Sequence, residues 1–299
     1  MKYVKNILRS IYWNTYVRFR SPIIFKRKIF ALKIEKVLKY IHKNKFNPNI
    51  RLFAGDVYLL SNDGIWMYFN MEDGYTLGDG QNCDYYYDQE RSNIEKILMR
   101  SMPANGTYID VGANNGYFYS LKIAMAYPHS RVIAVEPDAG ILKHLYRNIK
   151  INNLGNIEIA EIALSRSTGE SFLTKGRDAS NYLLINDNNI AHQKVNTSTL
   201  DSLVENLKIT SLFAIKVDIE GGEVSFLDGA KCAIERYKPL VIMEIDDALL
   251  KRSGTSRAEA LAIMDNYGYD IKYIDGRDYL FVNRNGKDIN CIKDVHQTS

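Results

Sequence analysis

The sequence has little cysteine. Cys83, Cys232 and Cys291 are all that its 299 residues hold, and they stand far apart. With no CxxC pair and no Cys/His cluster there is no ligand set for structural zinc, and three scattered thiols make no disulfide framework. A reducing, cytoplasmic setting is the expectation that follows. Long apolar runs are missing as well: nothing reaches the roughly 18 uninterrupted apolar residues of a spanning helix. The N-terminus is basic, but Lys5, Arg9 and Asn14 interrupt the stretch that a signal peptide keeps apolar. There is no internal repeat and no low-complexity segment. Apolar (46%) and charged (25%) fractions are those of a globular chain, which excludes disordered and collagen-like classes.

Acid is scarce in one place only. Residues 1–50 hold 13 Lys/Arg against Glu35 alone, while the rest of the chain holds 26 basic and 34 acidic side chains. The net charge of +4 therefore conceals a basic arm joined to an acidic remainder. In the arm, Val4, Ile7, Leu8, Ile11 and Tyr12 recur at helical spacing. Ser21-Pro22 breaks the pattern, and Ile29, Leu32, Val37 and Tyr40 resume it over 29–43. Two readings stand: an arm (residues 1–45) that lies on a membrane or docks a partner, or a helix pair packed on the rest of the chain with its lysines in water. Nucleic acid is the poorer partner, because no aromatic-basic reading motif accompanies the charge.

Four segments follow: the arm (1–50), a β-hairpin or meander (51–85), an α/β domain (86–290) and a tail (291–299). Asn62-Asp63-Gly64 and Glu72-Asp73-Gly74 supply turns in the second. Ile94, Ile97 and Leu98 predict a helix within 88–101. Beyond it, strands at 107–111, 131–135, 157–160, 212–217 and 239–244 alternate with helical stretches, and a closing hairpin spans about 269–283. Such alternation predicts a doubly wound parallel sheet flanked by helices.

Its first strand ends in a glycine-rich turn, Asp110-Val-Gly-Ala-Asn-Asn-Gly116. Glycine lets backbone approach a ligand closely, and a helix beginning near 117 would aim its N-terminus into the same crevice. Twenty residues past Gly116 the next strand ends in Glu136, placed to accept hydrogen bonds from both hydroxyls of a ribose. Dinucleotide enzymes share that arrangement, but their glycines follow GxGxxG to cradle a pyrophosphate. Here the spacing is GxxxG after an acid, which suits a smaller zwitterion whose amino group needs Asp110 and disfavours an NAD oxidoreductase.

The runs DVGANNGYF (110–118), EPD (136–138), Asn148, Asn152, IALS (162–165), TLDSL (199–203) and KVDIEGGE (216–223) resemble, in this order, the FkbM family of methyltransferases. The resemblance covers about residues 86–245 and implies a class I, Rossmann-like fold of five parallel strands with antiparallel closure, binding S-adenosyl-L-methionine. It implies oxygen methylation of a natural product or of a sugar, often in glycan biosynthesis. By position, Asp110 and Gly112 would meet the methionine moiety, Glu136 the ribose, and the stretch from Glu161 through Ala163 to Leu164 the adenine, with Asn114 and Gly116 of the turn also binding the cofactor. For Glu161, exposure to solvent is an equal reading.

At the fourth strand end, period two puts Lys216, Asp218 and, if the strand runs that far, Glu220 on one side. Asp218 is the candidate for orienting or deprotonating the acceptor, with Lys216 and Glu220 as its catalytic companions. Asp218 also reads as a helix cap or an ion-pair partner of Lys216. Glu244, Asp246 and Asp247 close the fifth strand. Together with Asp218 they resemble the carboxylates of magnesium-dependent catechol O-methyltransferases, and their oxygens would suit Mg²⁺. Acids at adjacent strand ends are common, and no metal ligand is assigned. His192, in a polar loop at 175–197, and Tyr85, Tyr86 and Tyr87 are lesser candidates for acceptor contact.

The expected acceptor is a sugar hydroxyl of a surface glycan or its lipid-linked precursor, with the arm holding the protein peripherally at the inner face of the membrane. The alternatives are a small-molecule O- or N-methyltransferase and a non-catalytic glycan-assembly scaffold.

Overall fold

The computed structural model describes residues 50–53, 56–61, 63–69, 93–174 and 192–286. The expected amphipathic arm, Tyr85, Tyr86 and Tyr87, and the tail lie outside the described residues. The chain divides into two compact units, Met1–Tyr87 and Asp88–Ser299.

In the first unit, β1 (Ile50–Phe53), β2 (Asp56–Leu60) and β3 (Trp66–Phe69) form an antiparallel meander. Ser61 closes the β2–β3 turn: its carbonyl accepts from Gly64 N at 3.0 Å and its hydroxyl from Ile65 N at 3.1 Å. The Arg51 guanidinium lies 5.9 Å from the Phe53 ring and 5.8 Å from the Trp66 ring.

The second unit opens with α1 (Asn93–Ser101), then β4 (Thr107–Val111), α2 (Ser120–Ala126), β5 (Arg131–Val135), α3 (Ala139–Ile151) and β6 (Ile157–Ala160). A small excursion follows: β7 (Ala163–Leu164), β8 (Gly169–Thr174) and β9 (His192–Ser198). The chain then returns through α4 (Leu200–Asn206), β10 (Ala214–Val217), α5 (Glu223–Asp228), α6 (Lys231–Tyr237) and β11 (Leu240–Glu244). It closes with α7 (Asp247–Arg252), α8 (Arg257–Asn266), β12 (Tyr269–Asp275) and β13 (Asp278–Asn283).

Seven strands form the main sheet in the order β12-β13-β11-β10-β4-β5-β6, parallel from β11 to β6 and antiparallel where β13 meets β11 and β12. This is the expected doubly wound α/β sheet with five parallel strands and an antiparallel closure. Alternation along each strand sorts the core. Tyr108, Val132, Ala214 and Ile242 pack with Ile94, Ile97 and Ile123 of α1 and α2. Ile109, Ile133, Ile215 and Val241 pack with Leu203, Phe226, Ile234 and Met264 on the opposite face. Strands covered on both faces read as near-continuous apolar runs, which is why 131–135 and 240–243 contain little else.

Capping side chains fix where the helices start. Asp138 accepts from Gly140 N and Ile141 N at 2.6 and 3.1 Å to begin α3. Thr199 accepts from Ser202 N at 3.0 Å to begin α4. Asp201, in the first turn of α4, takes Cys232 N and Ala233 N of α6 at 3.1 and 2.7 Å. The TLDSL run is thus a helix-start and helix-tether device.

The segment containing His192 does not end as a polar loop at 197: His192–Ser198 is strand β9, the centre of a second sheet ordered β7-β9-β8. Val195 and Thr197 turn inward while Lys194 stays exposed. A strand with one face in water carries enough polar residues to read as loop.

Candidate active site

The strand order reverses between β4, which continues to β5, and β10, which lies on its other side. At such a switch point the carboxyl ends of two strands diverge and leave a crevice. Here those ends carry Asp110-Val-Gly112 and Val217-Asp218. The approach is close: Asp218 N donates to Val111 O at 3.0 Å, and a Cβ on Gly112 would sit 1.9 Å from Asp218 O. Gly112 also has φ +82°, a region that L side chains avoid.

The turn after β4 is built by its own side chains. Gly112 N and Ala113 N both donate to Val135 O at 3.0 Å, and Gly116 N donates to Ala113 O at 2.9 Å. Asn114 N donates to Glu136 Oε2 at 3.0 Å, Asn115 N to Asn114 Oδ1 at 2.7 Å, and Tyr117 N to Asn115 Oδ1 at 3.1 Å. Asn114 holds the left-handed φ of +53° that asparagine tolerates well. Asn148 of α3 donates to Asn115 O at 2.9 Å and ties the helix to the turn. Every amide from Gly112 to Tyr117 is thus satisfied inside the protein. A pyrophosphate cradle needs such amides free and converging.

Two buried carboxylates flank the turn. Glu136 takes Asn114 N on one oxygen and Asp138 N, at 2.9 Å, on the other, which leaves acceptor capacity on both for a vicinal diol. Burial pushes its pKa up to about 7, although the two backbone donors pull it down. Asp110 Oδ2 accepts from Ser120 N at 3.1 Å and from Ser120 Oγ at 2.5 Å at the start of α2. Burial raises Asp110 to about 6, with Ser120 and Lys216 opposing.

On the β10 side, Lys216 faces the same way as Asp110, its register partner. It is buried, bonds Asp278 Oδ1 at 2.7 Å and lies 3.6 Å from Asp218 Oδ2. Burial alone would lower its pKa, but the charges of Asp218 and Asp278 hold it well above the ordinary lysine value. Lys216 is therefore a fixed cation beneath Asp218, unsuited to giving up a proton.

The strand does not extend to Glu220. β10 ends at Val217, and Glu220 has φ +56° in the loop that follows, so period two places Lys216 and Asp218 but not Glu220. The glutamate that structures this loop is Glu223, whose Oε1 accepts from Ile219 N and Gly221 N at 3.4 and 3.1 Å. Its Oε2 is buried with no hydrogen-bond partner among the described residues, and burial pushes its pKa up to about 7. Only its place in the EGGE run marks it in the sequence. Glu161 is exposed and accepts from Tyr146 Oη at 2.6 Å, and Ala163 is buried in β7 against Leu173 and Val195. Ala163 can offer a ligand only backbone.

Asp278 and Arg277, absent from the sequence-level candidates, complete the floor. Arg277 Nε meets Glu244 Oε1 and its Nη1 meets Asp246 Oδ2, each at 2.9 Å. Asp246 also starts α7 by accepting from Ala248 N at 2.7 Å, and Asp247 accepts from Arg257 N at 3.0 Å. Among the described residues no three His, Cys, Asp or Glu side chains gather as a metal site. Two cations stand among the acids instead.

The methyltransferase FkbM domain family matches residues 110–271, more than half of the chain. The chain is 24% identical over 253 residues to the AMB antimetabolite synthetase AmbE of Pseudomonas aeruginosa, a match covering 70% of this chain and 12% of that protein. It is 26% identical over 150 residues to Methyltransferase 1 of Beauveria bassiana, covering 42% of this chain and 59% of the other. It thus spans only part of the length of either relative. A crystal structure of methyltransferase FkbM from Methylobacillus flagellatus KT aligns with TM-score 0.45 and 19% identity over 69% of this chain and 52% of that one. With the family match spanning both the glycine turn and the Asp218 loop, this chain belongs to the FkbM methyltransferase family.

Proposed function

We propose that the protein transfers the methyl group of S-adenosylmethionine to a hydroxyl oxygen, and that its acceptor is a sugar of a surface glycan or of a lipid-linked precursor. The observation that carries the cofactor assignment is the closed hydrogen bonding of the 112–117 turn beside the buried Glu136 carboxylate. Such a turn offers a diol acceptor and no anion nest, which fits an adenosyl sulfonium and not a dinucleotide. When bound, S-adenosylmethionine supplies an electrophilic methyl carbon on a good leaving group. The chain's own residues do the rest. Glu136 holds the ribose, Asp110 sets the start of α2 beside the turn, and Asp218, above the fixed charge of Lys216, orients the acceptor hydroxyl. Alignment of oxygen, carbon and sulfur supplies much of the rate.

Identity with an antimetabolite synthetase favours a second reading, a small natural-product acceptor. A panel of glycans and small alcohols, offered with labelled methyl donor, separates the two.

Titration calorimetry tests the cofactor. Wild type should bind S-adenosylmethionine and S-adenosylhomocysteine with micromolar affinity, and Glu136→Ala should weaken both by roughly 10- to 100-fold, as expected for losing hydrogen bonds to a charged group. Folded wild type that binds neither would sink the methyltransferase reading.

A further inference from the structure

Two opposite charges lie buried beside the glycine turn. Lys122 of α2 and Glu95 of α1 meet at 3.0 Å, with side chains only 6% and 8% exposed. Burying such a pair gains little stability, because the lost hydration of both ions offsets their attraction, and apolar replacements of similar volume are often as stable. What the pair touches gives it a second role. The Lys122 ammonium stands 4.7 Å from the centroid of the Tyr117 ring, and Tyr117, 3% exposed, is the last residue of the turn. A cation over an aromatic face is attracted by the ring's quadrupole, most strongly where water is excluded.

From that residue the contacts run without a break to the diol acceptor. Tyr117 N donates to Asn115 Oδ1, Asn115 N to Asn114 Oδ1, and Asn114 N to Glu136 Oε2. At the other end Lys122 is set in place by α2, whose first residue, Ser120, gives both its donors to Asp110 Oδ2. Glu95 brings in α1, an element that precedes the family-matched residues 110–271. We propose that Lys122, neutralised by Glu95, is a positioning residue for cofactor binding: its ammonium pins the Tyr117 ring and so holds the 112–117 turn in the form that presents Glu136 to the ribose. Neutralisation matters because an unpaired ammonium would repel the sulfonium of S-adenosylmethionine, whereas the ion pair seats a cation on the ring without adding net charge. The proposal rests on the methyltransferase reading and makes the cofactor site depend on α1.

Affinity for S-adenosylhomocysteine tests this without an acceptor. Glu95→Gln combined with Lys122→Met removes both charges and strands neither ion, so the protein should fold and melt close to wild type. In calorimetry it should bind roughly 10-fold weaker, the size of one desolvated ammonium–ring contact. Tyr117→Leu should lose a similar factor in the wild-type background and little more in the uncharged one, because both changes break the same contact and their effects do not add. A pair that served structure alone would move the melting temperature and leave affinity unchanged. Unchanged affinity in the uncharged variant, or losses from the two changes that multiply, would overturn the proposal. Should the uncharged variant not fold, Tyr117→Phe and Tyr117→Leu decide. Phenylalanine keeps a ring under the ammonium, so the leucine variant should bind roughly 10-fold weaker than the phenylalanine one. Equal affinities there would refute it. If wild type itself binds neither S-adenosylhomocysteine nor S-adenosylmethionine, the methyltransferase reading falls and this proposal with it. Wild-type binding with unaffected variants sinks this proposal alone.

Discussion

Asp110 is pulled in opposite directions by its surroundings, and the balance is measurable. Burial disfavours its charge, while Ser120 and Lys216 favour it, leaving the folded-state pKa near 6 against an ordinary 3.8. For an acid whose pKa is raised on folding, the native state binds more protons between the two values, so stability declines as pH rises through that window. The contribution is fully present below pH 3.8 and lost by about pH 6, with an upper size of about 3 kcal/mol from roughly two units at 1.36 kcal/mol each. Because both bonds from Ser120 fall on one oxygen, Asp110→Asn can keep them without the charge. Urea denaturation of Asp110→Asn should therefore show a shallower loss of stability from pH 4 to 6 than wild type, and greater stability than wild type at pH 7. A parallel pH dependence for the two proteins would show that Asp110 titrates normally.

At the scale of elements, the site depends on how tightly β10 leaves the sheet beside the turn that follows β4. A Cβ on Gly112 would fall 1.9 Å from Asp218 O, whereas one on Gly276, in the β12–β13 turn at φ +63°, would meet nothing within 4 Å. Gly276→Ala should cost only the left-handed backbone penalty, about 1–2 kcal/mol, and leave cofactor binding intact. Gly112→Ala adds a backbone collision and should cost more than about 3 kcal/mol, abolishing binding by the fraction that folds. Melting curves and calorimetry on the pair check this, and equal losses in both would remove the close approach as the reason for a glycine. This junction was legible in the sequence because it is local: an apolar run, an acid, then glycines. The five parallel strands were legible for a similar reason, their burial on both faces leaving unbroken apolar runs such as Val132-Ile-Ala-Val135. The β9 strand was not, since its outward face carries Lys194 and Asn196. Nor were Arg277 and Asp278, which meet Lys216 and Glu244 only after β13 inserts next to β11, far along the chain. Glu220 was misplaced because nothing in the letters says that β10 stops at Val217.

The molecule as a whole is electrically divided, with 13 Lys/Arg against one acid in residues 1–50 and an acidic excess over the remainder. Among the described residues no helix is long and apolar enough to cross a membrane. We propose that the basic segment meets an anionic surface, where each Lys or Arg held near the bilayer contributes about 1 kcal/mol, within a Debye length that shrinks from about 8 Å at 0.15 M salt to about 3 Å at 1 M. A lipid-linked acceptor would give that attraction a purpose, since it confines enzyme and substrate to one surface. The full chain should therefore sediment with vesicles containing phosphatidylserine and not with phosphatidylcholine alone. Raising salt to 1 M should release it, and replacing Lys33, Lys36, Lys39 and Lys43 by glutamine should weaken binding by roughly 100-fold or more, since four such charges together contribute about 4 kcal/mol. Sedimentation that ignores both salt and the four substitutions would mean that the basic residues do not hold the protein to lipid. Their charge would then serve the protein's own packing or another partner, and the case for a lipid-linked acceptor would have to stand without it.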